Sequence, residues 1–263
     1  MKQQLTLFFT ALQFYTRIPA PRWVHYKQEN LGRATCYLPI IGWFVGIISG
    51  LSWLGGAYLT NISIGLVLSM IASIFTTGAF HEDGFADVCD GFGGGWTRDK
   101  ILEIMKDSRV GTYGSIGLIM ILALKFLLLS NLAVQQNDDF VVLIFVLIAA
   151  HAWSRLMPVF VILTQAYARA GQDSKAQPAA QKVSRSGLVA GSLFALIPVF
   201  VLAWICHAPF ILICCILPAI LTLLLSRYFN KWLGGYTGDC LGAIQQISEV
   251  AFYFSLTILW KFI

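Results

Sequence analysis

Three carboxylates, Asp83, Asp87 and Asp90, recur at helical spacing in the segment HEDGFADVCDGFGGG. If a helix continues through them they sit at i, i+4 and i+7, on one face. Like charges gathered this way repel unless a cation lies among them. Hard oxygen ligands suit Mg²⁺, which keeps several waters and bridges to substrate phosphate. Asp83, Asp87 and Asp90 are therefore the expected metal ligands. Glycines follow at 91, 93, 94 and 95. A Gly-rich turn beside a helix end leaves backbone N–H groups free to cradle phosphate oxygens, which puts Gly93 and Gly94 on the substrate. Lys106 and Arg109 add cations, Arg being suited to bidentate phosphate contact, and Asp107 and Ser108 between them could complete the metal shell. Carboxylates, metal, glycines and cations together read as phosphoryl or nucleotidyl transfer. His81 is either a general base or an interfacial hydrogen-bonder. The competing reading is a solvated acidic loop capping two helices, which helical spacing beside an apolar span disfavours.

A second constellation, Gly234-Gly235-Tyr236-Thr237-Gly238-Asp239-Cys240, precedes the last apolar run. Thr and Asp are ordinary helix caps there; the functional alternative has Thr237 and Asp239 facing the same pocket. Gln245 and Glu249 lie deeper on that run at i, i+4. An acid inside a span is a site candidate, with Arg155 or Lys125 as partner, and a buried structural ion pair is the equal alternative. His151 and Arg155 share a helix face, as pocket lining or as structural glue.

The elements that must position these groups are set by lipid. Apolar residues make up 57% of the 263, and charged residues 12%, where about 25% is usual in a soluble chain. The expected fold is all-α: a polytopic transmembrane helical bundle of about seven spans, one domain over residues 1–263, with an N-terminal interfacial helix at 4–15. The spans are expected at 36–58, 62–80, 111–134, 140–163, 187–205, 210–225 and 241–260. Lys and Arg gather in the N-terminal segment and in the loops 81–110, 164–186 and 226–240. The turns at 59–61, 135–139 and 207–209 carry none. The positive-inside rule places the four basic loops, and the acidic segment with them, in the cytoplasm. A net charge of +5 spread over short loops is unlike the basic stripe of a nucleic-acid binder. The six cysteines show no metal spacing, and no cleavable signal peptide is visible. Gly42, Gly46 and Gly50 form a small-residue ridge that lets helices approach closely. No internal repeat argues for a transporter of two inverted halves.

The segment His81–Gly91, Met105-Lys106-Asp107-Ser108 with Gly111 and Gly114, and Gly235–Cys240 together resemble the cobalamin synthase family, adenosylcobinamide-GDP ribazoletransferase. Phe14-Tyr15-Thr16-Arg17-Ile18-Pro19 and Pro39-Ile40-Ile41-Gly42 extend the resemblance over nearly the whole chain. It implies a multi-pass bacterial inner-membrane enzyme of late cobalamin assembly. Such an enzyme joins adenosylcobinamide-GDP to α-ribazole or its 5′-phosphate with Mg²⁺ and releases GMP. On that reading Asp83, Asp87 and Asp90 hold Mg²⁺ against a pyrophosphate, while Lys106 and Arg109 neutralise the phosphoryl in transit. Gly93, Gly94, Ser108, Thr237 and Asp239 line the substrate. Among the catalytic candidates Glu82, Asp83, His81 and Asp107, the proton acceptor stays open between Glu82, Asp107 and His81. The bulky corrinoid needs a wide opening between spans. A homo-oligomer, or contact with other corrinoid-pathway enzymes, is left open. Two other classes compete. A CDP-alcohol phosphotransferase carries D-G-x2-A-R, and Asp87 follows Ala86 where that Arg would stand. An ion-coupled transporter would place its acids near the bilayer midplane.

Overall fold

A computed structural model of the protein describes residues 2–135, 139–169 and 183–262. Its helices are α1 (Lys2–Tyr15), α2 (Leu31–Ala34), α3 (Leu38–Leu59), α4 (Ile62–Thr77), α5 (Phe80–Gly94) and α6 (Arg98–Ile104). They continue with α7 (Thr112–Gln135), α8 (Phe140–Thr164), α9 (Arg185–Ile205), α10 (Ile216–Leu233) and α11 (Gly238–Leu259). Among the described residues there is no β-strand, only an isolated bridge between Tyr167 and Tyr236. Part of the expected loops at 135–139 and 164–186 lies outside the described residues.

Five stretches are long and apolar enough to cross a membrane: Gln28–Leu59, Thr112–Gln135, Phe140–Thr164, Arg185–Ile205 and Pro209–Leu233. The bent pair of α4 and α5 raises the number to six if it counts as one span. The chain is thus a polytopic membrane helical bundle. Rows of exposed large apolar side chains, such as Phe44, Ile47 and Leu51 on α3, suit contact with lipid rather than water. The helix ends follow sequence rules. Asn61, Asp139, Ser184 and Thr237 each cap a helix through the side chain. Gly78 and Gly234 close α4 and α10 in the left-handed conformation.

α11 is not among these five stretches, yet its 22 residues are enough to cross by length. It can carry Gln245, Gln246 and Glu249 because α5, α7, α8 and α10 all pack around it and leave these three buried. The glycine ridge is consumed within the chain. A Cβ on Gly46 would lie 2.6 Å from the Ile148 Cα, and one on Gly42 would strike the His151 carbonyl, so α3 and α8 touch backbone to backbone. The ridge is therefore not free to make the oligomer contact it would otherwise offer. Hydroxyls bind other pairs: Ser49 and Ser69 join α3 to α4 at 2.6 Å, and Thr222 and Ser248 join α10 to α11 at 3.2 Å.

The expected second span, 62–80, ends early, and the expected loop 81–110 is mostly helical. Gly78 (φ 66°) and Ala79 (φ 57°) both adopt the left-handed conformation, which breaks the helix. α5 then leaves α4 at 89°. α5 thus runs crosswise to α4 rather than continuing it. The expected sixth span, 210–225, is longer than its apolar run suggests: a 3₁₀ turn over Pro209–Cys215 leads into α10, which continues to Leu233.

Candidate active site

α5 lies close against α11 because Gly84 and Gly242 leave room. A Cβ on Gly84 would sit 2.9 Å from the Asp239 carbonyl oxygen, and one on Gly242 would sit 3.0 Å from the His81 carbonyl oxygen. This contact sets Asp83 and Asp239 on one cleft of about 540 Å³. Arg17, Lys106 and Arg169 line it with them, beside Phe14 and Phe80. Arg17 arrives from the end of α1, where its backbone N–H donates to the Thr76 carbonyl at 2.8 Å. Its guanidinium lies over Gly78, where any Cβ would strike it.

Asp239 is aimed by its neighbours. Thr237, wholly buried, accepts from the Cys240 N–H at 3.2 Å and donates to Asp239 Oδ2 at 3.2 Å. It is the cap of α11 and turns Asp239, rather than itself, towards the cleft. Arg169 is brought in by the segment after α8. Ala168 N donates to the Tyr236 carbonyl at 2.8 Å and Tyr236 N to the Ala166 carbonyl at 3.0 Å. Arg98 ties the same loops, donating to the carbonyls of Leu233 (2.9 Å) and Ala168 (2.8 Å). Arg169 NH2 then stands 3.3 Å from Asp239 Oδ2.

The three aspartates of α5 meet different neighbours. Asp83 is exposed in the cleft. Asp87 is half-buried behind it, and its carboxyl is pushed up to about 7 by burial and then by the charges of Asp239 and Asp83, with Arg169 opposing. Asp90 is buried, and both its oxygens are engaged: Oδ2 accepts from Gly111 N–H at 2.7 Å and Oδ1 from Gly114 N–H at 2.8 Å. It caps the start of α7. Among the described residues no three His, Cys, Asp or Glu side chains enclose a metal by themselves. Mg²⁺ is commonly held by one or two carboxylates plus substrate phosphate. Asp83, Asp87 and Asp239, hard oxygen donors at or behind the cleft whose repulsion Arg169 offsets only in part, fit such an ion.

The glycine run differs from expectation. Gly91, Gly93 and Gly94 lie inside α5, so they form no open turn with free N–H groups. They are small because neighbours press on them: a Cβ on Gly91 would meet Met105 at 2.8 Å, and one on Gly93 would strike the Tyr113 ring. The phosphate cradle expected of Gly93 and Gly94 is absent at these positions. Gly94 instead borders a second, wider cleft of about 820 Å³ with Lys100, Lys106, Asp107 and Arg109. There Asp107 and Arg109 grip each other in a bidentate pair (2.6 and 3.0 Å), which holds the Asp107 carboxyl down at about 2. Lys106 borders both clefts, and Ser108 is exposed beside them.

His81 and Glu82 turn away from the cleft into the bundle, both buried. Glu82 Oε1 accepts from Gln246 Nε2 at 3.0 Å, and Gln246 Nε2 also reaches Gln245 Oε1 at 2.9 Å. Gln245 donates to Ser154 at 3.0 Å and to Glu249 Oε2 at 2.8 Å. Glu249 pairs with Lys125, lies 3.2 Å from His151 Nδ1 and accepts from the Tyr253 hydroxyl at 3.3 Å. Arg155 lies 3.0 Å from His151 Nδ1. Glu249 thus has Lys125 as its partner, and Arg155 and His151 belong to a polar network that joins α5, α7, α8 and α11.

Spacing singles out neither Arg17 nor Arg169. Arg17 lies within the Phe14–Pro19 motif, and Arg169 is one of the basic residues of the loop 164–186. Neither carries a local signal, because each reaches the cleft through tertiary contacts.

The fold is a helical membrane bundle, and its cleft sets Asp83 and Asp239 with three cations, a lining with charges for both a cation and an anion. Comparison with known proteins narrows the class. The profile of the cobalamin-5-phosphate synthase family matches residues 7–257, and the chain belongs to that family. It is 39% identical over 263 residues to the adenosylcobinamide-GDP ribazoletransferase of Leptospira interrogans, covering 99% of this chain and 98% of that one. It is 42% identical to the protein of the same name from Shewanella frigidimarina (95% and 94% covered) and 43% to that from Shewanella woodyi (97% of each). No solved structure matches the chain.

Proposed function

We propose that the protein joins adenosylcobinamide-GDP to α-ribazole or its 5′-phosphate, forming adenosylcobalamin or its 5′-phosphate and releasing GMP. The observation that carries this reading is the cleft of about 540 Å³ in which Asp83 and Asp239 face Arg17 and Lys106; the family relatives that share the name bear on it too. Asp83 and Asp87, joined by Asp239, would hold Mg²⁺, which when bound supplies charge neutralisation for a pyrophosphate. Lys106 and Arg17 bring fixed positive charge to the phosphoryl in transit and to the departing GMP. The ribose hydroxyl of the ribazole attacks the cobinamide-side phosphorus, the bond to the GMP oxygen breaks, and the hydroxyl proton is taken up in the cleft, where Asp83 is the exposed carboxylate. Asp90 fixes α7 against α5. The four basic loops favour a cytoplasmic cleft in a bacterial inner membrane.

Purified protein in detergent, given adenosylcobinamide-GDP, α-ribazole and Mg²⁺, should release GMP and stop when EDTA is added. Asp83→Ala should lose turnover and remain inserted. Absence of GMP release from well-folded protein would refute the reading. Labelling of a Lys106→Cys variant from the cytoplasmic side only would agree with the orientation, and labelling from the outside only would reverse it.

A further inference from the structure

We propose that Arg169 is a phosphate-binding residue held in reserve by Asp239, and that an arriving pyrophosphate takes the guanidinium from it. This rests on the reading that a pyrophosphate occupies the cleft.

Arg169 is only 8% exposed, yet it lines the cleft. Its Nε and NH2 find no hydrogen-bond acceptor among the described residues. NH2 is 3.3 Å from Asp239 Oδ2, an ion pair without a hydrogen bond, and that oxygen instead receives the Thr237 hydroxyl. Burying guanidinium donors without acceptors is unfavourable. The arrangement is satisfied once an oxygen-rich anion enters the cleft. Arg17 and Lys106 line the same cleft, and neither has an acidic partner among the described residues. Arg169, Arg17 and Lys106 thus offer three cations to an anion that enters the cleft, and a planar guanidinium grips a phosphate with two parallel bonds. The backbone bonds between Ala166, Ala168 and Tyr236, and the Arg98 tie, hold the segment before Arg169 in place, so little ordering is needed on binding.

The exchange has a second half. While Arg169 pairs with Asp239, that carboxylate is a poor ligand for a divalent cation. When the anion takes Arg169, Asp239 is released. Cation and anion therefore help each other to bind, and the coupling is reciprocal. Removing Arg169 must act on the two ligands with opposite sign. A structural role would weaken both.

The test is titration calorimetry on full-length protein in detergent, with inorganic pyrophosphate in EDTA and, separately, with Mg²⁺ alone. In Arg169→Ala we expect pyrophosphate affinity to fall at least tenfold and Mg²⁺ affinity to rise. Arg169→Lys, which keeps the charge without the fork and guards against misfolding of the alanine variant, should fall between. Unchanged pyrophosphate affinity in Arg169→Ala, or loss of both ligands together in either variant, overturns the proposal. Wild-type protein that releases GMP but binds no pyrophosphate overturns it while leaving the reaction intact. Protein that binds pyrophosphate through Arg169 but releases no GMP upholds it as an anion site and refutes the reaction.

Discussion

Asp83 and Asp90 share a helix face but should respond to substitution in opposite ways. Asp90 is 9% exposed and accepts two backbone N–H groups, from Gly111 and Gly114, at 2.7 and 2.8 Å. These donors belong to the start of α7, where helical N–H groups have no partner of their own. A hydrogen bond to a charged acceptor contributes about 1.5–3 kcal/mol, and the negative charge adds about 0.3–1 kcal/mol at a helix N-terminus. Asp90→Asn keeps one oxygen and turns an NH₂ against the other N–H. The expected loss is therefore about 2–4 kcal/mol, or roughly 5–15 °C in melting temperature for a chain of this size. The Asp83 side chain has no hydrogen-bond or ion-pair partner among the described residues and is exposed, so Asp83→Asn should alter stability by no more than ~0.5 kcal/mol while abolishing GMP release. Thermal unfolding in detergent, followed by intrinsic fluorescence, and GMP release measured at a temperature where both variants are folded separate the two effects. An Asp90→Asn protein that melts like the parent yet is inactive would refute the cap and make Asp90 a ligand. Gly114→Ala offers an independent check, since its Cβ would strike the Asp90 carboxylate; it too should lower the melting temperature.

Lys125→Met leaves the buried Glu249 without its ion-pair partner, at a cost of about 3 kcal/mol; adding Glu249→Gln should recover part of it, and strictly additive losses in the melting curves would show that the pair is not coupled. Gly46→Leu forces a side chain into the Ile148 backbone and should cost about 3 kcal/mol or more, seen as loss of the monodisperse peak on size exclusion; a normal profile would mean α3 and α8 are not in contact. With its carboxyl at about 7, Asp87 is largely protonated below that pH and ionised above it. Mg²⁺ binding should therefore weaken as pH falls below 7, and should release up to about one proton near pH 6.5 but almost none at pH 8. Calorimetry in buffers of different ionisation enthalpy reads this directly, and heats independent of buffer at pH 6.5 would contradict it.

Much of the helical framework is legible in the sequence because lipid imposes long apolar runs and caps mark their ends. α8, expected at 140–163, spans Phe140–Thr164, with Asp139 as its cap. α7, expected at 111–134, spans Thr112–Gln135. The break after α4 is only half legible: Gly78 is an ordinary left-handed stop, but Ala79 in the same conformation has no compositional sign. α5 reads as a loop for a related reason. Its glycines, at 84, 91 and 93, are poor helix formers by propensity, and they are tolerated because α11, α6 and Tyr113 come too close for any side chain.

The site shows the same division between what periodicity determines and what neighbours determine. Spacing of four and three residues does put Asp83, Asp87 and Asp90 on one side of α5. It fixes azimuth, however, and not depth along the axis: seven residues of helix advance about 10 Å. At one end Asp83 meets the cleft; at the other Asp90 meets the start of α7, and the same residue type becomes a cap. Glu82, one position from Asp83, turns about 100° away and joins Gln246 inside the bundle. That bond ties α5 to α11, the helix whose first turn carries Asp239. The buried network beneath the cleft thus holds the two carboxylate-bearing helices in one register. This gives a polar cluster inside a membrane protein a structural purpose, and it explains why Glu82, adjacent in sequence to Asp83, faces away from the cleft.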